Sequence, residues 1–371
     1  MRMPHLTSFV TASTLLLAVP AEAQDNRGAE LARVLLQRSG APGVAVAWID
    51  EGRRGIAVAG VRARGTDVAI SPQDQWHIGS NAKSMTATLV ARLVEADVIH
   101  WDDTIAQHLQ GFPIDPGYRD VTLAQLLAHR GGLPTNPGRW FLHRLTGHDV
   151  MADRRAYAAQ ILGHTPQPQP GRSFHYSNAG YVVVGAMLEA ATGQSWEVLM
   201  QDWLFEPLDM ESAGFGAPGT AQTLSQPRGH GGHFPWSRAV ITPGPEADNV
   251  AAMGPAGTVH LSLNDHLRYL RAHMTRPKSF LSDANWNRLQ SDVAGQGYAM
   301  GWVVRSDRIL AHTGSNTFWY NMVFVDRAGR RVLTLAMNEA ALARVEPAAA
   351  GVAQLFFAQD GATATETPDT Q

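Results

Sequence analysis

Apolar residues at Leu31, Val34 and Leu35 are spaced three and four apart, so Asp25 to about Ser39 is expected to form an amphipathic helix. Gly43–Ile49 and Gly55–Val61 are apolar runs of strand length on either side of a turn at Glu51-Gly52. The stripe Leu89, Val90, Leu93 and Val94 marks the buried face of a helix running from near Ser80 to about Ala96. From roughly Trp101 to Thr258 the pattern is helical, interrupted by Pro- and Gly-rich stretches at 165–171 and 215–245. Thr122-x-x-Gln125 is a capping box that opens LAQLLAHR, and Gly131-Gly132 closes that helix. Asn178 to Ala191 is a second clear helix, stopped by Gly193. After Gly257, Ser262-x-x-Asp265 opens another helix, and strand-like runs follow at Tyr298–Val304, Arg308–His312, Phe318–Val325 and Arg331–Met337. Ala348–Phe357 is a candidate closing helix. Strands thus sit at both ends of the chain with helices between them, which predicts one sheet built from both termini and a helical lobe inserted into it. No internal repeat is present.

Composition adds a compartment and removes several chemistries. The chain has 371 residues, 44 % hydrophobic and 17 % charged, enough for a sizeable core. A net charge of −3 gives no basic surplus for nucleic acid. Arg2, an apolar stretch from about Phe9 to Val19, and Ala21-Glu22-Ala23 have the form of a signal peptide cut after residue 23. That stretch is too short to span a bilayer, so the expectation is a periplasmic or secreted protein without stable membrane insertion. No cysteine is present, which excludes disulfides, thiol catalysis and Cys-based metal sites. Residues 24–358 are expected to form the folded unit, with an α/β lobe at about 25–85 and 258–358 and a helical lobe at about 86–257. The polar, Thr-rich residues 359–371 are expected to be disordered.

Three short constellations carry candidate chemistry. Ser80-Asn81-Ala82-Lys83 places a hydroxyl and an amine on one helical face at i and i+3. A lysine whose pKa is lowered by burial can take the serine proton. Of 30 basic residues only Lys83 and Lys278 are lysines, and arginine cannot serve as a base. Tyr176-Ser177-Asn178 sets a phenol and an amide before a helix, where the phenol can move a proton and the amide can bind a carbonyl. His312-Thr313-Gly314 and Ser315 end one strand-like run, and the Ser315 N–H could pair with that of Ser80 as an oxyanion hole. Taken singly, each also suits a bland role: Ser80 as an N-cap with a solvated Lys83, Tyr176 as a core aromatic, and Gly314 as a turn at a strand end.

Together and in this order, the three resemble the serine β-lactamase and penicillin-recognising superfamily, in particular its class C-like branch of esterases, D-amino-acid peptidases and related hydrolases. Trp76-His77-Ile78-Gly79-Ser80, Thr122-Leu123-x-x-Leu126-Leu127-x-His129-x-x-Gly132-Leu133-Pro134, Tyr176-Ser177-Asn178-x-Gly180-Tyr181, Glu206-Pro207-Leu208-Asp209-Met210, Pro255-Ala256-Gly257 and Tyr298-x-x-Gly301-Trp302 carry that resemblance over roughly residues 28–358. It implies an α+β fold of sandwich type: a mainly antiparallel sheet flanked by helices, with an inserted all-helical lobe and the site between them. It also implies that Ser80 is acylated, that Lys83 and Tyr176 share the proton work, and that Asn178, His312, Thr313, Gly314 and Ser315 bind substrate, with the N–H groups of Ser80 and Ser315 on the oxyanion. No metal or organic cofactor is implied, and the partner is a small-molecule or peptide substrate.

The sequence departs from the β-lactamase pattern at the third motif, where Lys-Thr-Gly is usual and His312 stands first. A mostly neutral histidine is a weaker anchor for a substrate carboxylate than lysine. The following residues, Asn316 to Asn321, are bulky, and Phe318, Trp319 and Tyr320 could line an apolar subsite or simply alternate along a strand. Ester or D-amino-acid-type amide hydrolysis is therefore expected ahead of β-lactamase or D,D-carboxypeptidase activity, with a non-turnover penicillin- or peptide-binding protein as the alternative. His230-Gly231-Gly232-His233 reads as a plain loop rather than a metal site, and the Gly214-x-Gly216-x-x-Gly219 match lacks the strand–helix frame of a dinucleotide site.

Overall fold

The computed structural model of the protein describes residues 21–231 and 238–358. The body of the expected signal segment, the expected tail at 359–371 and His233 lie outside the described residues. The first helix, Ala21–Ser39, leads into β1 (Gly43–Asp50) and β2 (Arg53–Gly60), the hairpin expected around Glu51-Gly52. β3 (Gln75–His77) precedes a 3-10 turn at Gly79–Asn81, which runs into the Ala82–Glu95 helix. The middle of the chain contributes the helices Leu123–Leu127, Val150–Leu162, Asn178–Thr192 and Trp196–Met200. It also contains three short strands, β4 (Gly214–Phe215), β5 (Gly229–Gly231) and β6 (Ala239–Ile241), so the inserted lobe is not all-helical as expected. β7 (Val259–Ser262) and the helices Leu263–Thr275 and Asp283–Gln290 bring the chain back to the sheet. The sheet is completed by β8 (Val303–Val304), β9 (Ile309–Ser315), β10 (Tyr320–Asp326) and β11 (Arg331–Met337), and the Leu342–Phe357 helix closes the fold.

The main sheet has six strands in the order β2-β1-β11-β10-β9-β8, and every paired neighbour is antiparallel. Its period of two divides two cores. Val44, Val46 and Trp48 of β1, with Leu333, Leu335 and Met337 of β11, face the first and last helices. Ala45, Ala47 and Ile49, with Val332 and Ala336, face the Leu263–Thr275 helix and belong to the larger core that continues into the inserted lobe. The Ala82–Glu95 helix is buried almost all round, its polar Lys83, Ser84, Thr86 and Thr88 included, and each of these finds a hydrogen-bond partner.

Two expected elements are shorter in the structure, for physical reasons near the site. The LAQLLAHR helix stops at Leu127 because His129 turns left-handed at φ 56° and commits its ring to the interior. The Tyr298–Val304 run is strand only at its end, because Gly301 at φ 77° presses its backbone on the Ser80 helix. A Cβ at Gly301 would lie 2.4 Å from Ser84 Cα.

Candidate active site

The 3-10 turn at Gly79–Asn81 sits at the mouth of the cleft between sheet and lobe, leaving Ser80 partly exposed while Lys83 is fully buried. One turn of helix brings Lys83 Nζ to 2.9 Å from Ser80 Oγ and to 2.6 Å from the Ala256 carbonyl oxygen. No carboxylate pairs with this amine among the described residues; its other neighbours are the rings of Tyr176 and Tyr181, with centroids 5.0 and 5.7 Å away. Burial therefore drives the Lys83 pKa well below its ordinary value. In its neutral form, the amine can donate to the Ala256 oxygen and turn its lone pair to the Ser80 hydroxyl proton.

Tyr176 lies against the same pair. Burial pushes its phenol up to about 12, opposed by a hydrogen bond with Ser80. It is held by local chain geometry: Ser177 caps the Asn178–Thr192 helix, taking the Gly180 N–H at 2.9 Å and donating to the Pro134 carbonyl at 2.6 Å. The Ser177 N–H is fixed in turn by His129 Nδ1 at 3.1 Å. Asn178, half-buried, donates from Nδ2 to Asn136 Oδ1 at 3.1 Å, which orients its amide beside the cleft.

β9 supplies the opposite wall. Its end runs so close to the serine turn that only glycine fits at two positions. A Cβ at Gly314 would lie 2.0 Å from the Ile78 oxygen and 2.7 Å from Ser80 N, and one at Gly79 would lie 2.3 Å from Ser315 N. Gly79 also adopts φ 51°. The backbones of Ser80 and Ser315 are thus brought close together, and Thr313 stands exposed on the strand, opposite Met322 of β10.

His312 is placed differently from the expectation that it binds substrate directly. Its ring is buried, and both nitrogens are used internally: Nδ1 donates to the Thr313 carbonyl at 2.7 Å, and Nε2 accepts from the Tyr298 hydroxyl at 3.1 Å. Burial, aided by the charge of Lys83, lowers its pKa to about 4, so the imidazole is neutral and presents no cation to a carboxylate. The apolar subsite imagined at Phe318, Trp319 and Tyr320 is also corrected: Trp319 points into the lobe-side core and Tyr320 into the opposite one, as alternating strand residues do. His230 sits in β5 rather than a loop, with Nδ1 donating to the Asn338 carbonyl and Nε2 accepting the Arg64 N–H.

Sequence reasoning missed two residues that frame the site, His129 and Tyr298. The His129 ring is packed 4.3 Å from Tyr176, 5.2 Å from Tyr181 and 4.8 Å from Tyr298, centroid to centroid. Both lay inside quoted motif segments, but nothing in their spacing along the chain signalled that the fold packs His129 against Tyr298 and against the two tyrosine rings that flank the Lys83 amine.

The profile described as Beta-lactamase matches residues 29–356. Penicillin-binding protein 4 of Amycolatopsis lactamdurans is 30 % identical over 280 residues, covering 71 % of each chain. Protein flp of Staphylococcus aureus (strain N315) is 24 % identical over 298 residues, 76 % of this chain but only 56 % of that protein's length. The crystal structure of a class C β-lactamase from Rhodobacter sphaeroides superposes with a TM-score of 0.69 at 19 % identity, covering 89 % of this chain and 99 % of the other. The order of the motifs, the antiparallel sheet with its inserted lobe and the span of these matches have one conclusion: the chain belongs to the β-lactamase family of serine penicillin-recognising proteins.

Proposed function

We propose that the protein is a serine hydrolase that works through an acyl-enzyme on Ser80, acting on ester or D-amino-acid-type amide substrates. The observation that carries this reading is a buried lysine amine, unpaired with any described carboxylate, 2.9 Å from a partly exposed serine hydroxyl. The neutral Lys83 amine takes the Ser80 proton as Oγ bonds to the substrate carbonyl carbon. The carbonyl electron pair moves onto oxygen, which the N–H groups of Ser80 and Ser315 stabilise. Collapse of that intermediate breaks the bond to the leaving group, which departs with a proton delivered through Lys83 and Tyr176. A water, deprotonated by the same pair, then attacks the acyl carbon, releases the acid and returns the proton to Ser80. Asn178 orients the substrate carbonyl, and Thr313 and Gly314 line the cleft.

A neutral imidazole at the third motif favours substrates without an obligatory carboxylate, which is why esters and amides come before penicillins. Export to the periplasm or medium, and the lobe boundaries near 85 and 258, belong to the same proposal. No described helix is long and apolar enough to cross a membrane.

The test is to treat the protein with a fluorophosphonate and with a penicillin, map the modified peptide by mass spectrometry, and assay p-nitrophenyl esters, D-Ala amides and nitrocefin. An adduct on Ser80 together with turnover lost in Ser80→Ala is the expected result. An adduct without turnover of any of these substrates would replace the hydrolase by a penicillin- or peptide-binding protein.

A further inference from the structure

Three residues before Ser80, and fully buried, His77 bridges two elements of the site that the chemistry above leaves unconnected. Its Nδ1 accepts the Gly79 N–H at 3.1 Å, and its Nε2 lies 2.8 Å from Asp248 Oδ2. With Nδ1 occupied as an acceptor, the ring carries its proton on Nε2 and donates it to the carboxylate. The other oxygen of Asp248 accepts from Asn316 Nδ2 at 3.1 Å and from the Asn249 N–H at 2.7 Å. Asn316, also buried, donates again to the Ala247 carbonyl at 3.2 Å and takes the N–H groups of Phe318 and Trp319 on Oδ1 at 3.2 and 3.1 Å. The Trp319 ring stacks over His77, with centroids 6.0 Å apart, and closes the cluster.

Gly79 directly precedes Ser80 and Asn316 directly follows Ser315. One carboxylate therefore ties down both turns whose N–H groups face the proposed oxyanion, through an imidazole on one side and an amide on the other. None of the three side chains hydrogen-bonds to Ser80 Oγ or Lys83 Nζ among the described residues, so their influence travels through the backbone. We propose that Asp248, with His77 and Asn316, is the positioning unit that sets the spacing of the Ser80 and Ser315 N–H donors. This rests on the reading of Ser80 as the nucleophile. Three donors converge on the Asp248 carboxylate, so an asparagine there would set its own NH2 against one of them, and an alanine would leave the His77 ring and the Asn249 N–H without this acceptor and Asn316 Nδ2 with the Ala247 carbonyl alone.

The experiment uses the full chain with Asp248→Ala, His77→Asn, His77→Leu and Ser80→Ala, assayed with p-nitrophenyl acetate and with a fluorophosphonate. Asp248→Ala is expected to lower kcat/KM and the fluorophosphonate inactivation rate about 10–100-fold, mainly in kcat, since a displaced oxyanion donor acts on the transition state. His77→Asn keeps an acceptor where Nδ1 stood and should retain more activity than His77→Leu. In 15N spectra the His77 ring of the natural protein should be protonated at Nε2 only, and that signature should change in Asp248→Ala. A folded Asp248→Ala protein of unchanged kcat/KM would overturn the inference. Should that variant fail to fold, equal activities of His77→Asn and His77→Leu would overturn it instead. An active Ser80→Ala would remove the nucleophile itself, whereas an inactive Ser80→Ala beside a fully active Asp248→Ala would remove only the positioning role.

Discussion

A lysine amine enclosed by two phenol rings, a carbonyl oxygen and a serine hydroxyl meets no negative charge among the described residues, so the fold favours its neutral form. Lys83→Arg places a permanent cation in that space, and no arginine gives up a proton near neutral pH. Its kcat is expected to fall by at least about 100-fold, the scale of a lost general base, with the fold retained by circular dichroism. The same residue sets the pH dependence. In the proposed mechanism activity requires the unprotonated amine, so kcat/KM should rise with pH through an acid limb lying well below the ordinary lysine range. In the same mechanism the alkaline limb is assigned to Tyr176, whose phenol burial pushes up to about 12. A pH–rate profile whose acid limb sits at an ordinary lysine value would contradict this assignment. The i, i+3 pairing of Ser80 and Lys83 was legible in the chain because helical spacing dictates it. The burial of His312 was not, since neither its depth nor its Tyr298 partner leaves a mark on neighbouring residues.

Between elements, the site depends on how closely β9 can approach the serine turn. Gly314→Ala introduces a Cβ 2.0 Å from a backbone oxygen that has no freedom to retreat, so strand and turn must separate. The expected outcome is a loss of about 100-fold in kcat/KM, because donors displaced by an ångström no longer meet the oxyanion. Labelling by fluorophosphonate followed over time would measure it. The helices of the inserted lobe are clamped elsewhere. Arg154 is fully buried, paired with Glu189 and, at 2.6 Å, with Glu197, and so links the Val150–Leu162, Asn178–Thr192 and Trp196–Met200 segments. Arg154→Ala leaves a buried carboxylate without its counter-ion and should cost about 3–5 kcal/mol in urea unfolding. Caps and apolar stripes announced the Ala82–Glu95, Leu123–Leu127, Asn178–Thr192 and Leu263–Thr275 helices because those signals are local, but the Val150–Leu162 and Asp283–Gln290 helices were not announced. The early stop of the Leu123–Leu127 helix was not announced, since it depends on the pocket that receives His129.

At the scale of the whole molecule, several histidines are folded into apolar surroundings as neutral rings. Burial lowers His266 and His273 to about 3 and His312 to about 4. In the unfolded chain these rings bind protons below about 6.5 while the native ones do not, so the unfolded state gains from acid. Their contribution is complete above about 6.5 and declines as the pH falls toward 4, by on the order of 1 kcal/mol per pH unit for each ring. Chemical denaturation at pH 7, 5.5 and 4.5 should show this decline, and a flat profile would mean that the three rings are hydrated in solution. The sequence by itself determined the strands of the main sheet, its construction from both chain ends around an insert, and the family to which the three motifs belong, because periodicity, caps and motif spacing are written along the chain. Only the tertiary structure decided that Lys83 is dry, that His312 faces inward to Tyr298, that Trp319 and Tyr320 fill cores, and that Asp248 holds two distant turns. Each of those depends on groups far apart in sequence meeting where water is excluded, and desolvation acts on neighbours in space, not in the chain.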